Sequence, residues 1–102
     1  MKYQLVIQFP ITENFDFDAI IGLETKLTFE MGEGYIIDGH DFGASNINLF
    51  IQTDQPEQGY EKVFDMLSTK LISTIQMAYR VNGSDEFIFL HPANCKDHFS
   101  IK

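Results

Sequence analysis

The sequence predicts an α+β fold in which two helices cover one face of a small antiparallel sheet, and three observations carry that expectation. Residues 46–52 alternate, with Ile47, Leu49 and Ile51 on one side and Asn46, Asn48 and Gln52 on the other, which is the period of a half-buried strand. Two stretches, 16–31 and 56–75, carry apolar side chains at helical spacing instead. Glycine- or proline-marked breaks separate these segments, as tight turns require. At 102 residues there is material for one hydrophobic core, so 1–102 is read as a single domain.

Taken in order, Lys2 to Phe9 alternates, with Tyr3, Leu5, Ile7 and Phe9 on one face, and Pro10 stops the strand. Asn14, Asp16 and Asp18 supply capping residues for a first helix, whose apolar positions are Phe17, Ile20, Ile21, Leu23, Leu27 and Met31 and which ends at Gly32. Gly22 inside it costs about 1 kcal/mol relative to alanine, which points either to close packing against a neighbour or to a helix boundary that falls elsewhere. Glu33 to Ile37 begins a second strand, with Asp38-Gly39 and Phe42-Gly43 bending or breaking it around His40 before a third starts at Asn46. For the second helix, Asp54 is the expected cap, with Glu57 three residues on; Pro56 fits the first turn and Tyr60, Val63, Phe64, Leu67, Leu71 and Ile75 form the stripe. Met77 to Val81 and Glu86 to Leu90 read as strands around an Asn82-Gly83 turn, the second closed by His91-Pro92. The tail from Ala93 to Lys102 has Phe99 and Ile101 to tether it.

Strand, helix, strand, strand, helix, strand is the split βαβ order of the ferredoxin-like fold. The expected architecture is a βαββαβ sandwich with two helices on one face of a four- or five-stranded, mainly antiparallel sheet. The other face would then present Gln4, Val6, Gln8, Asn48, Phe50 and Gln52. It is amide-rich and uncharged, so it is expected to be covered by a second copy, another protein or a small ligand.

Fifteen acidic against seven basic residues give a formal net charge of -8. Such a chain is repelled by phosphate backbones, which argues against nucleic acid and for basic protein partners or cations. A single cysteine, Cys95, allows no intramolecular disulfide and fits a reducing compartment. The opening MKYQLVIQFPITEN is too short and too polar for a signal-peptide core, and no window approaches the roughly 18 apolar residues of a membrane span. A cytoplasmic protein without membrane contact is expected.

His91, Cys95, Asp97 and His98 are zinc-ligand types, but the spacing lacks a second ligand pair, so no metal site is assigned. His40 stands between Asp38 and Asp41, and a neighbouring carboxylate can orient an imidazole. No nucleophile or set of oxyanion donors accompanies it at a fixed offset, and no catalytic residue is assigned. Glycines 32, 34, 39 and 43 match neither the phosphate-binding loop nor the dinucleotide fingerprint, so no cofactor is assigned.

Asp38-Gly39-His40-Asp41-Phe42-Gly43 leads into the strand from Asn46 to Asp54, with Pro56 opening a helix and Ala78-Tyr79-Arg80 after it. Over this half of the chain the sequence resembles a group of small bacterial ferredoxin-like proteins without assigned chemistry. In size, acidity and lack of a catalytic motif it is also similar to immunity-type proteins of bacterial toxin systems. The resemblance implies a fold and a bacterial cytosolic origin, and no functional residue is carried over from it.

The functional expectation is a non-enzymatic protein-interaction module that binds a basic partner or itself, with immunity-type inhibition as the specific form. The residues expected to meet the partner are Glu33, Tyr35, Asp38, His40, Asp41, Phe42, Asn48 and Phe50. The alternative is a dimeric ferredoxin-like enzyme of the α/β-barrel kind, or a small-ligand sensor, with His40 or His91 at the site.

Overall fold

The structure, a computed structural model, describes residues 1–12, 16–92 and 99. The expectations placed on Asn14, Cys95, Asp97, His98 and Ile101 lie outside the described residues. Eight elements follow in order: β1 (Tyr3–Pro10), α1 (Phe17–Glu30), β2 (Tyr35–Phe42), β3 (Asn46–Thr53), α2 (Pro56–Met66), α3 (Thr69–Ile72), β4 (Gln76–Val81) and β5 (Ile88–His91). The five strands form one sheet in the order β2-β3-β1-β4-β5, with every neighbouring pair antiparallel. This α+β arrangement is consistent with a ferredoxin-like fold.

The pleat sends alternate residues of β1 and β3 to opposite sides. Leu5, Ile7 and Phe9 lie with Ile47, Leu49 and Ile51 beneath the helices, where Ile20, Leu27 and Met31 of α1 and Val63 of α2 complete the main core. Asp16 caps α1 by accepting a hydrogen bond from the Ala19 amide at 3.2 Å, and Met31 ends it ahead of Gly32 at φ 81°. Lys62 of α2 donates through Nζ to the Met31 carbonyl at 2.9 Å. That places a cation where the dipole of α1 leaves partial negative charge, and it ties the two helices together. Gly59 lets α2 approach closely, since a Cβ there would stand 3.0 Å from the Tyr35 ring and 3.3 Å from Leu5.

Three local expectations need correction. The second helix does not run to Ile75: Leu67 turns extended at φ -92°, ψ 150°, and Ser68 caps a separate short helix by accepting from the Leu71 amide. A serine that can satisfy a free amide favours a new start over helix continuation. Asp54 does not cap α2 either. Its carboxylate accepts from the Lys2 amide at 2.7 Å, while Thr53 Oγ1 accepts from the Gln55 amide at 2.9 Å. Gly22 packs against nothing in its own chain, for a Cβ there would meet only open space.

The reverse face of the sheet is not open along its length. Val6 and Ala78 are buried with Phe99, against which Phe50, Phe87 and Phe89 pack. Gln8 and Asn48, directly opposite each other on β1 and β3, are buried, and Gln8 Nε2 donates to Asn48 Oδ1 at 3.0 Å. Arg80 Nε donates to Gln4 Oε1 at 2.8 Å, and the Gln52 and Asn82 amides donate to each other at 3.3 and 2.7 Å. The amides that looked free for a partner hydrogen-bond within the chain, Gln8 and Asn48 as buried polar groups must.

Candidate functional site

The site with the most chemistry lies where β2 passes the first half of α1. Ile37 of β2 stands opposite Ile51, yet His40 stands opposite Leu49. Three steps along β2 therefore match two along β3, and one extra residue has been inserted. Gly39, at φ 95°, occupies the left-handed backbone that the bulge needs. Because side chains alternate with a period of two, one inserted residue reverses the faces beyond it. His40 and Phe42 now point to the helix side, whereas Asp38 stays on the reverse side and Asp41 is moved to it.

On the helix side His40 meets α1. Its Nδ1–H donates to Glu24 Oε1 at 2.6 Å, and both side chains are about one-fifth exposed. The carboxylate that orients this imidazole therefore comes from α1, not from Asp38 or Asp41 beside it in sequence. The rings of Phe17 and Phe42 stack at 5.7 Å between centroids, and each meets His40 edge-on, at 5.9 and 5.5 Å. Edge-to-face and offset contacts at these separations are favourable for aromatic rings. Phe17 is still 55% exposed and Phe42 41%. The result is an aromatic patch on an edge strand, with a polarised imidazole in its middle.

Asp41 and Asp38 are exposed on the other side of the same strand, and Asp38 Oδ2 lies 3.5 Å from Gln52 Nε2. Ile36 beside them is 55% exposed. The bulged edge thus carries apolar rings toward the helix side and carboxylates toward the sheet side.

The other expected contact residues do not join this cluster. Glu33 is exposed in the turn between α1 and β2, at the far end of the strand. Tyr35 packs into the main core under Gly59, with Lys62 Nζ 4.9 Å from its ring centre. Its hydroxyl is buried with no hydrogen-bond partner among the described residues, and burial pushes its pKa up. Asn48 is buried, and Phe50 packs against the cluster of Val6, Ala78 and Phe99. Sequence reasoning missed Phe17 and Glu24 as members of the site. The adjacent pair Ile20-Ile21 was the available signal, since two neighbours cannot both face a narrow core stripe and part of the apolar side of α1 must turn outward.

His91 belongs to a different place. Its Nε2–H donates to the Ile72 carbonyl at 2.9 Å, at the end of α3, and its ring lies 5.6 Å from that of Phe64. A shallow cleft of about 250 Å³ beside it is lined by Tyr60, Glu61, Phe64 and Asp65. A second, of about 300 Å³, lies at the start of α2 between Tyr3, Tyr79, Asp54 and Glu57. There burial, and then the charge of Glu57, push the Tyr79 hydroxyl up. Neither cleft is lined by a histidine. Among the described residues no group of three or more His, Cys, Asp or Glu side chains is arranged to hold a metal ion, and no helix is long and apolar enough to cross a membrane.

Fold and site together define a small α+β protein with an acid-rimmed aromatic edge. Comparison with protein-family models, with curated proteins and with solved structures gave no match.

Proposed function

We propose that this chain is a non-enzymatic interaction module, with a ferredoxin-like core, that binds a basic protein through the bulged β2 edge; immunity-type inhibition of a basic partner is its specific form. The observation that supports this reading most directly is the pairing of the exposed Phe17–Phe42 stack with Asp38 and Asp41 on one edge strand. Aromatic residues are enriched among binding hot spots, and here they share a strand edge with two carboxylates on its other side. The net charge of -8 adds long-range attraction for a cationic protein and repulsion for an acidic one. Cytosolic action fits the single cysteine.

The enzyme reading has one geometric support, the Glu24-oriented imidazole of His40. That imidazole sits on an edge strand between two largely exposed phenyl rings, a setting that suits recognition better than water-excluded chemistry.

The test is capture from a native lysate on wild-type protein and on the D38N/D41N/F42A variant, followed by calorimetry with the purified protein retained. The expected result is a protein of basic composition held by the wild type alone, with affinity falling about tenfold or more between low and physiological ionic strength. Equal retention by both forms, or an affinity indifferent to salt, contradicts the proposal.

A further inference from the structure

The outward face of α1 carries exposed apolar side chains beside its charges. Phe29 is 82% exposed and Ile21 41%, and both fall on the side turned away from Ile20 and Leu27, whereas Phe17 lies on the flank that meets β2. Two threonines lie between Ile21 and Phe29. Thr25 Oγ1 donates to the Ile21 carbonyl at 3.0 Å and Thr28 Oγ1 to the Glu24 carbonyl at 2.8 Å, so their hydroxyls are satisfied by the helix itself and their methyls complete a dry surface. At its middle stands Gly22, with nothing of its own chain within 4 Å of where a Cβ would be. A mid-helix glycine costs helix stability, and no packing within the monomer offsets it. Close backbone approach by another helix would.

The charges on this face identify the partner. Asp18 and Lys26 lie four residues before and four after Gly22. Two copies of α1 crossing antiparallel at Gly22 bring each Asp18 level with the other copy's Lys26. A parallel pair would set Asp18 against Asp18 and Lys26 against Lys26. We infer that the outward face of α1 is a self-complementary interface through which two copies of this chain pair antiparallel, crossing at Gly22. The contact is isologous, so each favourable pair occurs twice. It goes beyond the proposed partner-binding edge, to which Phe17 belongs. The helix spans only about 21 Å, and each copy carries -8, so the pair belongs to the weak, concentration-dependent class.

The test is sedimentation equilibrium in about 0.15 M salt, where repulsion between whole molecules is largely screened, at protein concentrations from about 1 to 300 µM. The wild type is expected to rise from 11.7 kDa toward twice that mass. Phe29→Asp and Gly22→Leu should each weaken pairing about tenfold or more, and Gly22→Leu should do so while raising the urea midpoint of the monomer, which separates a lost interface from a damaged fold. Asp18→Lys and Lys26→Asp should each weaken it by about five- to tenfold, and the double exchange should bring it back to within about threefold of wild type. A chain that stays at 11.7 kDa throughout overturns the inference. So does a dimer indifferent to Gly22→Leu, or one that the double exchange fails to restore. None of these results bears on whether a basic protein binds the β2 edge.

Discussion

His40 and Glu24 are sixteen positions apart, and nothing in their spacing announces a pair. Half-buried between two phenyl rings, their hydrogen bond is of the charge-assisted kind that contributes more than a neutral one. Replacing Glu24 by alanine should cost about 1–2 kcal/mol in urea unfolding and release the His40 ring, visible as a changed Nδ1 signal in nitrogen-15 spectra. An unchanged ring signal would mean that the carboxylate does not hold the imidazole. Tyr35 offers the opposite case. Its buried hydroxyl lacks a partner among the described residues, so Tyr35→Phe should hold stability or raise it by about 1 kcal/mol. Its pKa is raised above the ordinary value of 10.0. The folded state therefore keeps the phenol proton to higher pH than the unfolded chain does. The associated stability is fully present below pH 10 and is lost as pH rises through the folded value. Alkaline unfolding of Tyr35→Phe should accordingly set in at higher pH than that of the wild type, and identical profiles would deny Tyr35 this role.

At the scale of elements, the parts that could be read in the chain are those in which one local pattern decides. The alternation of Lys2 to Phe9 and of 46–52 matches β1 and β3 because each has one face in the core, and Asp16 announces α1 because its carboxylate caps it. Elsewhere the decision is tertiary. Asp38-Gly39 reads equally well as a turn or a bulge, and only pairing with β3 makes it a bulge that keeps β2 whole to Phe42. The apolar positions 63–75 follow one helical stripe, yet the hydroxyl of Ser68 begins a new helix there. The bulge also creates the site, since without it His40 would lie on the reverse face with Asp38. Gly39→Ala forces a side chain onto φ 95° and should cost about 1–3 kcal/mol. It should also break the contact between His40 and Glu24, seen as loss of the nuclear Overhauser effects between the His40 ring and Phe17. Retention of those contacts at full stability would show that the left-handed glycine is not what turns the strand.

At the scale of the molecule, the acidic charge and the single core are plain from composition, whereas the closure of the reverse face is not. It depends on Phe99 reaching back across the sheet to Val6 and Ala78, and on pairs such as Gln8 with Asn48 that are 40 positions apart. Among the described residues, Ile36, Asp38 and Asp41 remain exposed on the sheet side of the β2 edge. This is why the partner surface is placed there, with Asp38, His40, Asp41 and Phe42, rather than on the amides. Hydrogen–deuterium exchange on the complex with the captured basic protein examines that placement directly. The account predicts slowed exchange across residues 36–42 and the first turn of α1, with β4 and β5 unchanged. Slowed exchange confined to β5, or to the loop that opens α2, would contradict it.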